Sequence, residues 1–109
     1  MGTGCKSIVR INTTDTDVCV GTWKDGRIGT YRGTRSGKGN FGGIVFGENG
    51  DAVLGEYKGY NPLLEKIIEF FRTGIAPVTT EETLEIVAFM EAADESKLKG
   101  GISVNLQTI

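Results

Sequence analysis

At 109 residues the chain has the length of one domain with a single hydrophobic core. Its 39% hydrophobic residues, 24% charged residues and formal net charge of −2 are ordinary for a folded protein, which argues against disorder and membrane insertion. It contains no histidine, which excludes histidine zinc ligands and every Ser/His or Cys/His nucleophile pair.

The first half of the chain predicts a run of short antiparallel strands. Each segment has four to eight residues and is rich in Val, Ile, Tyr, Phe and Thr. Asp25-Gly26 and Asn49-Gly50 predict type I′ turns at two of the joints. The predicted strands are SIVRIN, DVCVGTW, RIGTYRG, FGGIVFG and AVLGEYKG, between Ser7 and Gly59.

The second half changes to helical periodicity. Asn61 is the predicted N-cap of a helix of about three turns, which Gly74 ends. Thr79 begins a capping box with Glu82, and a second helix is predicted to run to about Leu98. A last strand over 102–106 returns to the sheet. The predicted fold class is therefore α+β, a mostly antiparallel sheet of five to six strands with two helices packed on one face and the other face open.

Several residues suggest chemistry, and each also has a structural interpretation. Residues 37–42 match the dinucleotide pattern G-x-G-x-x-G, but they lead into a predicted strand and not into a helix, which argues against nucleotide binding. The segment 24–38 carries a net charge of +4 and is interpreted as a solvated loop, with nucleic-acid binding as a lesser hypothesis. Trp23 is either a core or interface residue or a sugar-stacking platform.

Three further features receive structural interpretations. Cys5 and Cys19 are predicted to be buried small hydrophobes, with a disulfide left open. The acids at 81, 82 and 85 lie in the first turns of the second helix, where they favour the positive end of its dipole. Paired-carboxylate catalysis by these acids would need a cleft.

The stretch 60–106 resembles the end of the Gfo/Idh/MocA family of oxidoreductases (glucose-fructose oxidoreductase, inositol dehydrogenase and relatives). This stretch is slightly under half of the chain. The residues that carry the resemblance are Phe70-Phe71-Arg72-Thr73-Gly74, Pro77-Val78, Glu81-Glu82-Thr83-Leu84-Glu85, Ala92-Ala93, Ser96-Lys97, Gly100-Gly101 and Val104.

The resemblance implies that residues 1–109 form a single C-terminal α/β domain concerned with substrate and oligomerisation. A Rossmann domain would then precede Met1, would bind NAD or NADP, and would supply the catalytic residues. The implied function is that of a sugar or polyol oxidoreductase, inactive as this isolated fragment, with no cofactor in this chain. Tyr60 is the one position carried over as a substrate-binding residue; a core or helix-staple role is the competing interpretation.

The expected partners are the missing Rossmann domain and a second copy bound through the open sheet face, with neither nucleic acid nor membrane. The start of the sequence has no apolar signal region, which favours the cytoplasm and leaves export of a longer parent open. A freestanding binding or assembly module that uses the open face is the alternative hypothesis.

Overall fold

The computed structural model describes residues 1–37, 39, 41–55 and 57–107. These form six strands and two helices, in the order β1 (Cys5–Asn12), β2 (Thr16–Trp23), β3 (Ile28–Thr34), β4 (Gly43–Gly47), β5 (Gly50–Leu54), α1 (Asn61–Thr73), α2 (Thr80–Leu98) and β6 (Val104–Asn105). The predicted α+β class and antiparallel pairing are confirmed. Within the described residues, neither helix is both long enough and apolar enough to cross a bilayer.

The chain divides into two compact units. Unit 1 comprises Met1–Ser36 and Val78–Ile109, and unit 2 comprises Gly37–Pro77. The strands form two separate sheets, a four-stranded sheet in unit 1 with the order β3-β2-β1-β6 and the hairpin β4-β5 in unit 2. The difference from one sheet of five to six strands arises after β3, where the glycine-rich stretch 37–42 separates β4 from the strands before it.

Unit 1 has its core between the four-stranded sheet and α2. Ile8, Cys19 and Val104 from the sheet pack against Ala92 and Ala93 from the helix. The two alanines let the helix backbone approach the sheet closely, because their side chains are small. The predicted placement of a helix on one face of the sheet is therefore confirmed for α2.

Ser96 joins α2 to the sheet below this core. Its side chain is fully buried, and its hydroxyl accepts a hydrogen bond from the Arg10 N–H at 2.9 Å and donates one to the Ile102 carbonyl at 2.6 Å. β6 pairs with β1 only at Ser7 and Ile8. The Ser96 hydroxyl therefore provides a hydrogen-bond partner for the β1 backbone beyond the point where that pairing ends.

Unit 2 consists of the hairpin and α1, and each of its described residues is exposed. The apolar positions of α1 follow the expected helical period, and Gly74 ends the helix in the left-handed conformation with φ 71°. The N-cap is Tyr60 and not Asn61, because Asn61 already has helical geometry and Pro62 occupies the second position. The placement of α1 on the sheet stays a prediction.

Both predicted hairpin joints are present, but the type I′ assignments are wrong. Among the described residues, positive φ occurs only at glycines, so Asp25 and Asn49 do not adopt it. The first joint is a turn in which the Gly26 N–H donates to the Trp23 carbonyl, with Gly26 at φ 92°. The second is a two-residue loop of Glu48 and Asn49, after which Gly50 begins β5. At each joint a single glycine with positive φ therefore follows the turn, and the two adjacent positive-φ residues of a type I′ turn are absent from both.

Candidate functional site

The sheet face opposite α2 carries a cluster of aliphatic side chains. Successive residues of a strand point to opposite faces, so Ile8 and Cys19 in the core place their neighbours on the other side. Register confirms this arrangement, since Val9 lies opposite Val20 and Ile11 opposite Val18. We call this surface the open face; its members are Ser7, Val9, Ile11, Val18, Val20, Thr22, Ile28, Thr30 and Arg32.

The open face is apolar at its centre and polar at its edges. Ile11 is 59% exposed and Ile28 is 64% exposed, while the valines between them are half-buried by their neighbours. Threonines and Arg32 border the patch along β3. A contiguous apolar patch with a polar rim on a folded unit is typical of a protein-protein contact.

The basic residues of segment 24–38 have different surroundings in the structure. Arg27 donates to Asp25 at 2.8 Å, and Arg35 donates to Asp17, so two of its positive charges have acidic partners within the same unit. Arg32 lies on the open face opposite Val18. Lys38 lies outside the described residues, as does Asn40 in the 37–42 motif. Gly43–Gly47 after that motif is a strand, as predicted, and not a helix.

Asp17 is the centre of a charge network on the covered side of the sheet. Its side chain is 13% exposed, and it accepts hydrogen bonds from Arg10 and Arg35; Arg10 also donates to Asp94 of α2 at 2.8 Å. Burial alone raises the pKa of Asp17, but the hydrogen bonds and charges of the two arginines outweigh it and hold that pKa below its ordinary value. The network ties α2 and the end of β3 to the β1-β2 hairpin.

Trp23 is a core residue. Its ring is 8% exposed, packs with a centroid distance of 6.4 Å from Phe89, and donates from Nε1 to the Gly2 carbonyl at 3.0 Å. Cys5 and Cys19 are buried, as predicted, and form no disulfide, which the sequence had left open; burial raises the pKa of both thiols. These residues therefore belong to the packing of unit 1.

Tyr60, the substrate-binding position implied by the resemblance, lies in unit 2 at the start of α1. It is 70% exposed and packs edge-on against Tyr57 at 6.0 Å, which in turn lies 5.9 Å from Phe41. The three rings form an exposed aromatic group. A hydrogen bond with Tyr60 adds to the larger effect of partial burial in raising the pKa of Tyr57. Stacking on an apolar sugar face is chemistry that such rings can perform.

Unit 1 also contains an open cleft of about 610 Å³ between α2, β6 and the residues before β1. Its polar lining includes Lys6, Lys24, Glu81, Glu85 and Asn105. The carboxylate of Glu85 is already engaged, because both of its oxygens accept the Gly4 N–H, at 2.8 and 3.0 Å. The sequence assigned Glu85 to the helix dipole, with paired-carboxylate catalysis as the alternative, and its contact with a residue 81 positions away has no local signal.

Comparison of the chain with protein-family models, with curated proteins and with solved structures gave no match.

Proposed function

We propose that this chain is the C-terminal, substrate-side and dimerisation domain of an NAD(P)-dependent sugar or polyol oxidoreductase related to the Gfo/Idh/MocA family. In this proposal a preceding Rossmann domain binds the cofactor and supplies the acid-base residues. The present chain supplies the surface on which two copies meet, and Tyr60 lies near the substrate.

The observation that carries the proposal is the open face, an apolar sheet surface bordered by threonines and one arginine. A sheet with a helix on one face still has a second apolar face to bury. A second copy of the chain, related by two-fold symmetry, provides a matching surface for that face. The residues that carry the resemblance support the choice of family.

The size of the open face sets the expected affinity. Strands about 4.8 Å apart and about 3.3 Å per residue give the three long strands a projected area of roughly 350 Å². Two such faces in contact lie at the low end of interface sizes, where association is weak and concentration-dependent. The isolated chain should therefore show a monomer-dimer equilibrium. In the full-length protein, contacts made by the preceding domain would strengthen the association.

Sedimentation equilibrium over a wide concentration range tests this proposal with one variant and one control. Val20→Lys places a charge at the centre of the open face and should make the chain monomeric at every concentration. Leu98→Lys adds the same charge at an 87% exposed position at the end of α2 and should leave the equilibrium unchanged. A wild-type chain that stays monomeric throughout, or equal effects of the two variants, would count against the dimerisation role.

Cofactor binding provides a second test. Titration of the isolated chain with NAD(H) should give no saturation, because the proposal assigns the cofactor to the preceding domain. Saturable binding at millimolar concentration or tighter would contradict it. A reading frame before Met1 that encodes a βαβ unit with a glycine fingerprint would support the proposal, and its absence would favour the freestanding assembly module.

A further inference from the structure

The residues before β1 are held by three hydrogen bonds from the end of β2 and the turn that follows it. The Arg27 guanidinium donates to the Met1 carbonyl at 2.7 Å, and Trp23 Nε1 donates to the Gly2 carbonyl at 3.0 Å. The Lys24 N–H donates to the Gly4 carbonyl at 2.9 Å. We call Met1 to Gly4 the leading segment.

Glu85 provides the contact from α2. Its two carboxylate oxygens both accept the Gly4 N–H, and Oε1 also accepts the N–H of Cys5. Two successive backbone N–H groups that converge on one carboxylate form an anion-binding arrangement, and here the anion belongs to the same chain. One turn further along α2, Ala88 is buried, so the helix that carries Glu85 is itself fixed.

The backbone of the leading segment is shaped for this contact. Gly2 and Gly4 have φ of 72° and 100°, a region that residues with a Cβ adopt at a cost. A Cβ at Gly4 would also lie 3.7 Å from the Trp23 ring. The bend that these glycines permit turns the N–H groups of residues 4 and 5 toward the same side, where Glu85 lies.

We infer that Glu85 is a positioning residue that fixes the direction in which the chain enters the four-stranded sheet. The inference builds on the proposed function, in which the preceding segment leads from the cofactor-binding domain. A carboxylate that locks the junction keeps the preceding domain at a constant angle to unit 1.

Amide hydrogen exchange and ¹⁵N relaxation test this inference on the chain itself. In the wild type the Gly4 and Cys5 amides should be protected, and residues 2 to 4 should have order parameters of about 0.85. Glu85→Ala should speed exchange of these two amides by about ten- to hundredfold, which is the effect of losing one hydrogen bond to a charged acceptor. Order parameters of the leading segment should fall below about 0.6, while the Ile8 and Cys19 amides stay protected.

Glu81→Ala is the matched control, since Glu81 lies on the same helix one turn earlier and lines the same cleft. It should leave exchange at Gly4 and Cys5 unchanged. Glu85→Gln keeps one acceptor oxygen and the shape of the side chain; it should give an intermediate exchange rate, and it replaces the alanine variant if that variant unfolds.

Three results would overturn the inference: unprotected Gly4 and Cys5 amides in the wild type, unchanged order parameters in the Glu85 variants, or equal effects of Glu81→Ala. None of these results bears on self-association through the open face. Conversely, Val20→Lys should leave exchange at Gly4 and Cys5 as it is in the wild type.

Discussion

Replacement of Ser96 by alanine should be among the most destabilising single-atom changes in unit 1. The Ser96 hydroxyl serves the Arg10 N–H at 2.9 Å and the Ile102 carbonyl at 2.6 Å, and the side chain is fully buried. Alanine leaves both backbone groups without this partner and gives them no replacement. Each such orphaned group costs about 1–3 kcal/mol, so with some local relaxation we expect a loss of about 2–4 kcal/mol.

The assay is urea unfolding followed by the fluorescence of Trp23, which is the single tryptophan of the chain and lies in the same unit as Ser96. With a urea m-value of about 2 kcal/mol/M for a domain of this size, the midpoint should fall by about 1–2 M at unchanged slope. Low protein concentration keeps self-association from contributing to the measured stability.

Ser103→Ala is the control for Ser96→Ala, because Ser103 is exposed in the same unit and the same atom is removed. Its free energy of unfolding should stay within about 0.5 kcal/mol of the wild type. If Ser96→Ala were equally mild, the two hydrogen bonds would make no net contribution to the free energy of unfolding. The proposed role of Ser96 in holding α2 to the edge of β1 would then be wrong.

Three other predictions concern the same unit. The folded-state pKa of Asp17 lies below its unfolded value of about 3.9, so its contribution to stability is present above that pH and is lost as the pH falls through the lower value. Asp17→Asn should therefore lower the urea midpoint at pH 7, and the deficit relative to wild type should shrink on acidification below about pH 4; a deficit independent of pH would contradict this sign. Gly21→Ala would place a Cβ 2.8 Å from the Trp23 ring and should cost about 1–3 kcal/mol in the same melt, so an unchanged midpoint would contradict this close packing. Cys5 and Cys19 should react with a thiol reagent only after unfolding in urea, since both are buried with raised pKa values, and rapid reaction of the folded chain would show that the core opens.

Local signals predicted most elements of this fold. The strands of unit 1 follow their β-branched residues, and α2 starts where Thr79 accepts the Glu82 N–H at 3.2 Å, as its capping pattern predicts. The prediction of Asn61 as the N-cap was wrong because the N-cap position depends on the φ and ψ angles at the first residue of the helix. The Asn-Pro dipeptide does not determine those angles. Turn type was wrong for a related reason, since Asp and Asn permit positive φ without requiring it.

Contacts between distant residues could not be predicted from the sequence. The open face follows from alternation along β1 and β2 once their pairing is known, so its members were within reach of pattern reasoning. The division of the strands into two sheets depends on pairing across the glycine-rich stretch after β3, which leaves no periodic signal. The Glu85 carboxylate and the leading segment meet only because α2 crosses β1, and a helical glutamate by itself indicates solvent or the dipole.

In the proposed function, two copies of the chain meet through the open face of the four-stranded sheet. Isotope-filtered NMR on a mixture of methyl-labelled and unlabelled chains measures this contact directly, at a concentration where sedimentation shows dimer. Intermolecular cross-peaks are expected from the methyl groups of Val9, Val18 and Val20. Intermolecular cross-peaks confined to methyl groups off this face, such as those of Leu98, or a chain that never associates, would contradict it.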